Sequence, residues 1–433
     1  MASIGIDRAL AIVDRTIAPK RLSSLQELIL KECWQGKSYQ EIAQSSGYDS
    51  DYVRVAGSRL WLILSEVFGE KVTKNNFKVI LRQHDQEPDY NQNQLELPYG
   101  QVPLGSSFYI ERHPQELLAY QEIINPAALI RIKSPSRMGK TSLVSRILAQ
   151  GRSHNFLTVL LNLQLAEASI LSDLDRFLRW LLTNITFQLG IESQLDEYWD
   201  RDLGSKASCS AYLQEYILKQ LSQPLVLALD EVNHLFEHPE IAQEFITLLR
   251  FWHEEGNNIS IWQNLRLIVA HSTDVYLRLD INYSPFNVGL SITLSELNFD
   301  QLKRLASRYQ LQQEVENLDR NLRLLMEMIG GNPYLARLAL HAVSTQEITF
   351  QNLLDQAITV SGIYRSHLQR LFVMLQQHPE LARCYKNVVS ADSPVQLDIL
   401  STYKLENIGL VKLVEDRVIP SCQLYRLYFQ NRL

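Results

Sequence analysis

Ala128-Leu129-Ile130-Arg131-Ile132-Lys133-Ser134-Pro135-Ser136-Arg137-Met138-Gly139-Lys140-Thr141-Ser142 carries the pattern from which the architecture follows. Its first half is a short apolar run that reads as a strand. Its second half is a turn-forming loop ending in Gly-Lys-Thr, and the following residues, Leu143 to Ala149, read as a helix. Strand, loop, Gly-Lys-Thr and helix in that order form a phosphate-binding P-loop. The chemistry explains each residue type. Backbone N–H groups of Ser134, Pro135's neighbours Ser136, Arg137 and Met138, and the helix start at Ser142 surround an anion. Lys140 places a positive charge on the outer phosphate oxygens, and Thr141 offers a hydroxyl to Mg²⁺. Gly139 lets the backbone approach without a Cβ. One position departs from GxxxxGK[ST]: Ser134 stands where the first glycine is expected. Serine is small, and Pro135 biases it toward an extended conformation, so the loop is expected to keep its course.

Such a site needs an acidic partner, and a second apolar run supplies one. Pro224-Leu225-Val226-Leu227-Ala228-Leu229 fits a strand buried on both faces and ends in Asp230-Glu231. Asp230 is placed to hold the Mg²⁺ shell, and Glu231 to orient or activate water against a γ-phosphate. A third run, Leu265 to Ala270, ends in His271-Ser272-Thr273. Ser272 or Thr273 would sense the γ-phosphate from that strand tip, although Ser and Thr at such a place also cap helices. Arg266 and Arg304 are candidate trans-acting arginines, neither marked out by its surroundings.

These runs alternate with amphipathic helices, the pattern of an α/β fold with a parallel sheet. From about Asn298 helices dominate. Near the C-terminus Ile408-Gly409-Leu410-Val411 and Val418-Ile419-Pro420 flank the charged turn Glu415-Asp416-Arg417, read as two short strands of a winged helix. Upstream of the sheet pattern, 84–101 is rich in Asn, Gln, Asp and Pro and reads as a linker.

Before the linker the pattern is all helical. Leu25 to Trp34 carries apolar residues at helical spacing and is ended by Gly36. Ser38 and Glu41 form a capping box for a short helix through Ile42-Ala43, Gly47 ends it, and a longer helix runs from about Ser50 to Phe68. This is the helix-turn-helix plan, in which Arg54, Ser58 and Arg59 would face phosphates, base edges or a protein partner.

Composition sets bounds around these motifs. The chain has 433 residues, 46% apolar and 21% charged, ordinary values for a soluble globular protein of several domains. A net charge of −6 argues against a generally nucleic-acid-coated molecule, so any basic surface must be local. The four cysteines, Cys33, Cys209, Cys384 and Cys422, are widely spaced and fit reduced thiols in a cytoplasm. No apolar run reaches the ~18 residues of a membrane-spanning helix, so no membrane partner is expected.

Taken together, the motifs resemble the AAA-like domain of signal-transduction ATPases of the STAND type. They are similar in particular to a bacterial, mainly cyanobacterial, AAA-like family with an N-terminal helix-turn-helix, the vWA-MoxR-associated proteins. Leu104-Gly105-Ser106-Ser107-Phe108-Tyr109-Ile110-Glu111-Arg112 resembles that family's leading segment, which lies near the adenine in related ATPases and so adds Tyr109 to the nucleotide-binding residues. Ser284-Pro285-Phe286-Asn287-Val288-Gly289 resembles its string before the last sheet strand. Gly330-Gly331-Asn332-Pro333-Tyr334-Leu335 resembles the Gly-x-Pro motif, whose proline packs by the adenine; its plainer reading is one helix ending at glycine and another opening at Pro333. The family often has arginine where this chain has Ser421, so no charge role carries over there.

The resulting expectation is an N-terminal helix-turn-helix domain (1–83), a linker (84–101), an AAA-like P-loop core (102–297), a helical lid (298–362) and a winged helix (363–433). By resemblance, the winged helix locks or frees the core. Function is then an ATP-dependent signalling switch that binds ATP with Mg²⁺, hydrolyses it slowly to ADP, and changes conformation or oligomeric state for a separate protein partner. Two other readings stay open: a DNA-associated ATPase of the transposition-adaptor or replication-initiator kind, and a nucleotide-binding scaffold without turnover.

Overall fold

The computed structural model describes residues 24–46, 48–68, 72–83, 95–274, 288–311 and 317–433, together with residues 10, 13 and 22. The chain divides into two units, Met1–Leu95 and Glu96–Leu433.

In the first unit, helices α1 (Ser24–Trp34), α2 (Tyr39–Ser46), α3 (Ser50–Phe68) and α4 (Phe77–Gln83) surround a core of Ile29, Leu30, Ile42, Val53, Leu60, Leu64 and Phe77. The capping box ahead of α2 forms as expected: the Ser38 N–H donates to Glu41 Oε2 at 2.6 Å and the Glu41 N–H to Ser38 Oγ at 3.3 Å. The Tyr39 ring seats α2 against α3. It lies where a Cβ on Gly57 would come within 2.8 Å, and its hydroxyl accepts from Trp61 Nε1 at 2.6 Å. Gly47 lies outside the described residues.

In the second unit the apolar runs form a five-stranded parallel sheet: β1 (Leu129–Ser134), β2 (Leu157–Asn162), β3 (Leu225–Asp230), β4 (Leu265–Ser272) and β5 (Leu290–Thr293), in the spatial order β2-β3-β4-β1-β5. Parallel strands require crossovers, and these put helices on both faces. Strand periodicity divides the core accordingly. Val226 and Ala228 of β3 face one layer with Ile130, Ile132 and Ile268, against α5 (Gln115–Glu122) and α6 (Lys140–Ser153). Leu225, Leu227 and Leu229 face the other layer, against α7 (Leu174–Leu189), α8 (Ser205–Ala211, continued by a π-helix over Tyr212–Leu218) and α9 (Pro239–Glu255). Every residue of β3 is buried, which is why that run lacks polar alternation.

Helices then follow as expected: α10 (Phe299–Arg308), α11 (Leu318–Ile329), α12 (Pro333–Ser344), α13 (Phe350–Asp355), α14 (Arg365–Gln376), α15 (Pro379–Ser390) and α16 (Ile399–Ile408). An antiparallel hairpin of β6 (Val411–Val414) and β7 (Arg417–Pro420) and a last helix, α17 (Gln423–Gln430), complete a winged-helix plan.

Two expectations shift. The run Ile408-Gly409-Leu410-Val411 is not one strand: Ile408 ends α16, Gly409 caps it in the left-handed region at φ +83°, and β6 begins only at Val411. Four uncharged residues carry no period, and the glycine there is a helix cap. At the other end, residues 96–101, read as part of a linker, are bonded into the second unit. Glu96 Oε2 accepts from Ser106 Oγ at 2.6 Å, Leu97 O accepts from Arg337 Nη2 at 3.2 Å, and Gln101 Nε2 donates to Ser145 Oγ at 2.6 Å. Of the string before the last strand, Ser284, Pro285, Phe286 and Asn287 lie outside the described residues, and Val288-Gly289 lead into β5.

Candidate nucleotide site at the carboxyl edge of the sheet

β1 ends at Ser134 and α6 begins at Lys140, so the P-loop spans the gap between them. Arg137 (φ +66°) and Gly139 (φ +95°) are left-handed, which turns successive N–H groups toward a common side. At Gly139 a Cβ would also come within 3.2 Å of the Arg112 guanidinium. Arg112 is buried and braces the loop from beneath, donating to Met138 O at 2.7 Å and Ser295 O at 3.3 Å. Ser134 fits where glycine was expected. It is buried, and its carbonyl accepts from Lys140 Nζ at 3.0 Å and the Thr273 N–H at 3.1 Å. Lys140 Nζ also donates to Pro135 O at 3.0 Å and reaches Ser272 Oγ at 3.5 Å. Burial pulls the Lys140 pKa below its usual value, opposed by Asp274, Glu231 and Asp230. Ser142, also buried, turns its hydroxyl away from the loop to accept the Val102 N–H at 3.0 Å.

The strand order brings the acids to this loop. Asp230 at the end of β3 accepts from Thr141 Oγ1 at 2.8 Å through Oδ2 and from the Glu231 N–H at 2.9 Å through Oδ1. Burial raises its pKa, and the Thr141 hydroxyl opposes that rise. A buried carboxylate beside a hydroxyl is a hard oxygen pair suited to Mg²⁺, which is commonly held by one or two protein oxygens plus phosphate oxygens and water. Thr141 and Asp230 are therefore the residues that fit it. Among the described residues no group of three or more His, Cys, Asp or Glu could hold a metal ion. Glu231 sits in the left-handed region at φ +55°, an uncommon conformation for its type, and turns out of the strand line into the site. Its Oε2 accepts from Asn233 Nδ2 at 3.2 Å and Gln164 Nε2 at 3.5 Å.

The two sensor candidates separate. Ser272 Oγ lies 2.9 Å from Ser136 Oγ in the loop. Thr273 gives its hydroxyl to the Asn407 carbonyl at the end of α16. Pro333 opens α12, and Asn332 caps that helix by accepting from the Tyr334 and Leu335 N–H groups at 3.0 and 3.2 Å. The adjoining Tyr334 ring lies under the Arg137 guanidinium at 4.5 Å, which ties this segment to the loop. The Tyr109 ring packs under Arg146 of α6 at 3.4 Å. Arg266 is spent internally on the carbonyls of Ile123, Ile124 and Gln263, which removes it as a trans-acting arginine. In the first unit Arg54, Ser58 and Arg59 share the exposed side of α3, with Arg54 3.3 Å from Asp51.

Several site residues carried no local signal. Asp274, one residue past the sensor pair, accepts the Ser136 N–H at 2.9 Å through Oδ1, and its Oδ2 lies 3.2 Å from Arg370 Nη1 on α14. His367, also on α14, reaches Arg137 at 3.5 Å and Tyr425 of α17 at 2.7 Å. Gly409 lies against the loop: a Cβ there would come within 3.0 Å of Pro135. The winged-helix plan is thus bonded directly to the phosphate loop. A cleft of about 1300 Å³ separates the Glu231 side from α15 and α16, and one of about 530 Å³ lies between Pro135, Asn332 and the β6 region.

The family described as an AAA-like domain matches residues 97–431, and the vWA-MoxR associated protein N-terminal HTH matches residues 4–84. No curated protein matches the chain. Among solved structures, the Walker-type ATPase PABY2304 of Pyrococcus abyssi is 12% identical with a TM-score of 0.53, covering 74% of this chain and 96% of that one. The Aeropyrum pernix ORC2 protein is 16% identical with a TM-score of 0.44, covering 75% and 98%. At these identities the likeness extends to the fold alone, and the second is too distant to carry an argument. By the match over 97–431, together with the sheet and loop that those residues build, this chain belongs to the AAA-like domain family of P-loop ATPase fold, preceded by a vWA-MoxR-associated helix-turn-helix domain.

Proposed function

We propose that the chain is an ATP-dependent switch, which binds ATP with Mg²⁺, hydrolyses it slowly and passes a signal through a change of conformation or oligomeric state. The observation that carries this reading is the Ser136–Asp274–Arg370 connection, through which the C-terminal helices hold a P-loop N–H. A ligand phosphate at that N–H competes with Asp274, the carboxylate that Arg370 of the C-terminal helices also engages, so nucleotide arrival would disturb the Asp274–Arg370 pair. A ligand shifts an equilibrium only by its differential affinity for two states, and this competition supplies one. ADP would favour the closed form with contacts near Pro333. ATP, held at Lys140 with Thr141 and Asp230 on Mg²⁺, would favour an open form that self-associates or engages a separate protein partner. Glu231 would orient the attacking water and reset the switch. Among the described residues no helix is long and apolar enough to cross a membrane.

A second reading is favoured by the helix-turn-helix match and the exposed Arg54, Ser58 and Arg59: a DNA-associated ATPase. Size-exclusion chromatography with light scattering separates the two. It is run with ADP, and with a non-hydrolysable ATP analogue plus Mg²⁺, each with and without duplex DNA. Assembly with the analogue alone supports the switch. Assembly only with DNA present selects the DNA reading. Identical elution throughout, with nucleotide bound, overturns nucleotide-driven assembly and favours a scaffold whose trigger is a missing partner.

A further inference from the structure

The geometry points to Asn233 as the positioning residue for Glu231, coupling its aim to the tip of the sensor strand. This deepens the hydrolytic reading of Glu231 and rests on it. Asn233 is 8% exposed, in the 3₁₀ turn directly after β3. Its Oδ1 accepts the Ser272 backbone N–H at 2.7 Å. A backbone N–H can only donate, so the oxygen of the amide must face β4 and the nitrogen must face the other way. That nitrogen donates to Glu231 Oε2 at 3.2 Å.

A single side-chain amide therefore links the Glu231 carboxylate to the backbone at the tip of the sensor strand. Gln164 donates to the same carboxylate oxygen at 3.5 Å, so both amides hold Oε2 and leave Oε1 to the water. In the hydrolytic step the water oxygen bonds to the γ-phosphorus, its proton goes to Oε1, and the bond to the bridging oxygen breaks to leave ADP and phosphate. Both amide bonds restrict the carboxylate to one orientation without touching the reacting atoms. The hydroxyl of Ser272 faces Ser136 and Lys140, so a shift of Ser272 toward a bound phosphate moves the anchor of Asn233 and with it Glu231.

The test compares Asn233→Ala and Asn233→Asp with the unaltered chain in steady-state ATP hydrolysis, equilibrium binding of a non-hydrolysable ATP analogue, and thermal unfolding. Asn233→Asp keeps an oxygen for the Ser272 N–H but turns the donor facing Glu231 into a second acceptor. A merely structural role is rescued by aspartate; a positioning role is not. Expected is a fall in kcat of about 10- to 100-fold in both variants, the size of a misplaced reacting group. Analogue affinity should stay within about twofold, and both variants should still unfold in one cooperative transition, with Asn233→Asp lowered by the like-charge contact with Glu231. Turnover of Asn233→Asp within twofold of the parent overturns the proposal, as does an equal loss of affinity and kcat. Glu231→Gln separates the two layers. If it abolishes turnover while the Asn233 variants do not lose it, only the positioning role fails. If it turns over like the parent, or the parent itself has no ATPase activity, the reading of Glu231 fails and the positioning role with it.

Discussion

Replacing Asp274 with alanine should tighten nucleotide binding. In the structure its carboxylate holds the Ser136 N–H at 2.9 Å and faces Arg370 at 3.2 Å, with the Asp274 side chain 6% exposed and that of Arg370 38% exposed. A hydrogen bond to a charged acceptor contributes about 1.5–3 kcal/mol, and a partly exposed ion pair adds little once solvent screening is counted. A phosphate oxygen arriving at the same N–H must first displace this acceptor, so native binding carries the cost of breaking that bond. In the variant the N–H is met by water instead, which recovers part of the difference. The lower end of the range is therefore the appropriate one, about 1.5 kcal/mol, or about tenfold in affinity. Isothermal titration calorimetry with ADP and with a non-hydrolysable ATP analogue, at fixed Mg²⁺ and ionic strength, measures it directly. Both ligands should bind more tightly to Asp274→Ala. Unchanged or weaker binding would show that no such competition exists, because the carboxylate would then be a bystander or a part of the binding surface.

Glu231→Gln should bind ATP as the parent does while turnover, followed by phosphate release, drops about 10²- to 10⁴-fold, the usual loss of a general base. Gly409→Ala forces a side chain into a left-handed position at φ +83° and against Pro135; it should cost about 1–2 kcal/mol and appear as faster proteolysis within 363–433. His367 gives a pH dependence with a definite sign. Burial chiefly, with Arg370 and Arg137 adding to it, pulls its pKa from 6.5 to about 3, so it is neutral when folded and protonates more readily when unfolded. Its contribution is full above pH 6.5 and is lost as pH falls from there toward 3, by up to about 1.4 kcal/mol per pH unit. The unfolding temperature of the parent should consequently drop more steeply between pH 6.5 and 5 than that of His367→Gln; parallel curves would show that the imidazole is not the group responsible.

The P-loop could be read from the sequence because each of its parts is local. A strand is visible in five or six apolar residues, a helix start in the step from Gly139 to Lys140, and an anion seat in the residue types between them. The Asp230-Glu231 pair was legible for the same reason, since an acid pair closing a fully apolar run marks the end of a buried strand. The helix-turn-helix was legible through its capping box and its glycine stop. Where a segment is too short to show a period, local patterning misleads, as at Ile408–Val411, where a helix end reads as a strand.

The sequence alone therefore determined the fold class, the phosphate loop, its acidic partners and the helical N-terminal module. Which residues complete the site follows only from the packing of distant segments. Strand order places β4 between β1 and β3, which brings Ser272 and Asp274 to a loop more than 130 residues earlier in the chain. The packing of α14 and α16 brings Arg370, His367 and Gly409 onto the same loop, and the turn after β3 aims Asn233 at both Glu231 and Ser272. These residues occupy ordinary positions on helices and turns, with no spacing to mark them. Their roles come from side-chain directions set by sheet order and interhelical packing, and those are properties of the whole chain rather than of any segment of it.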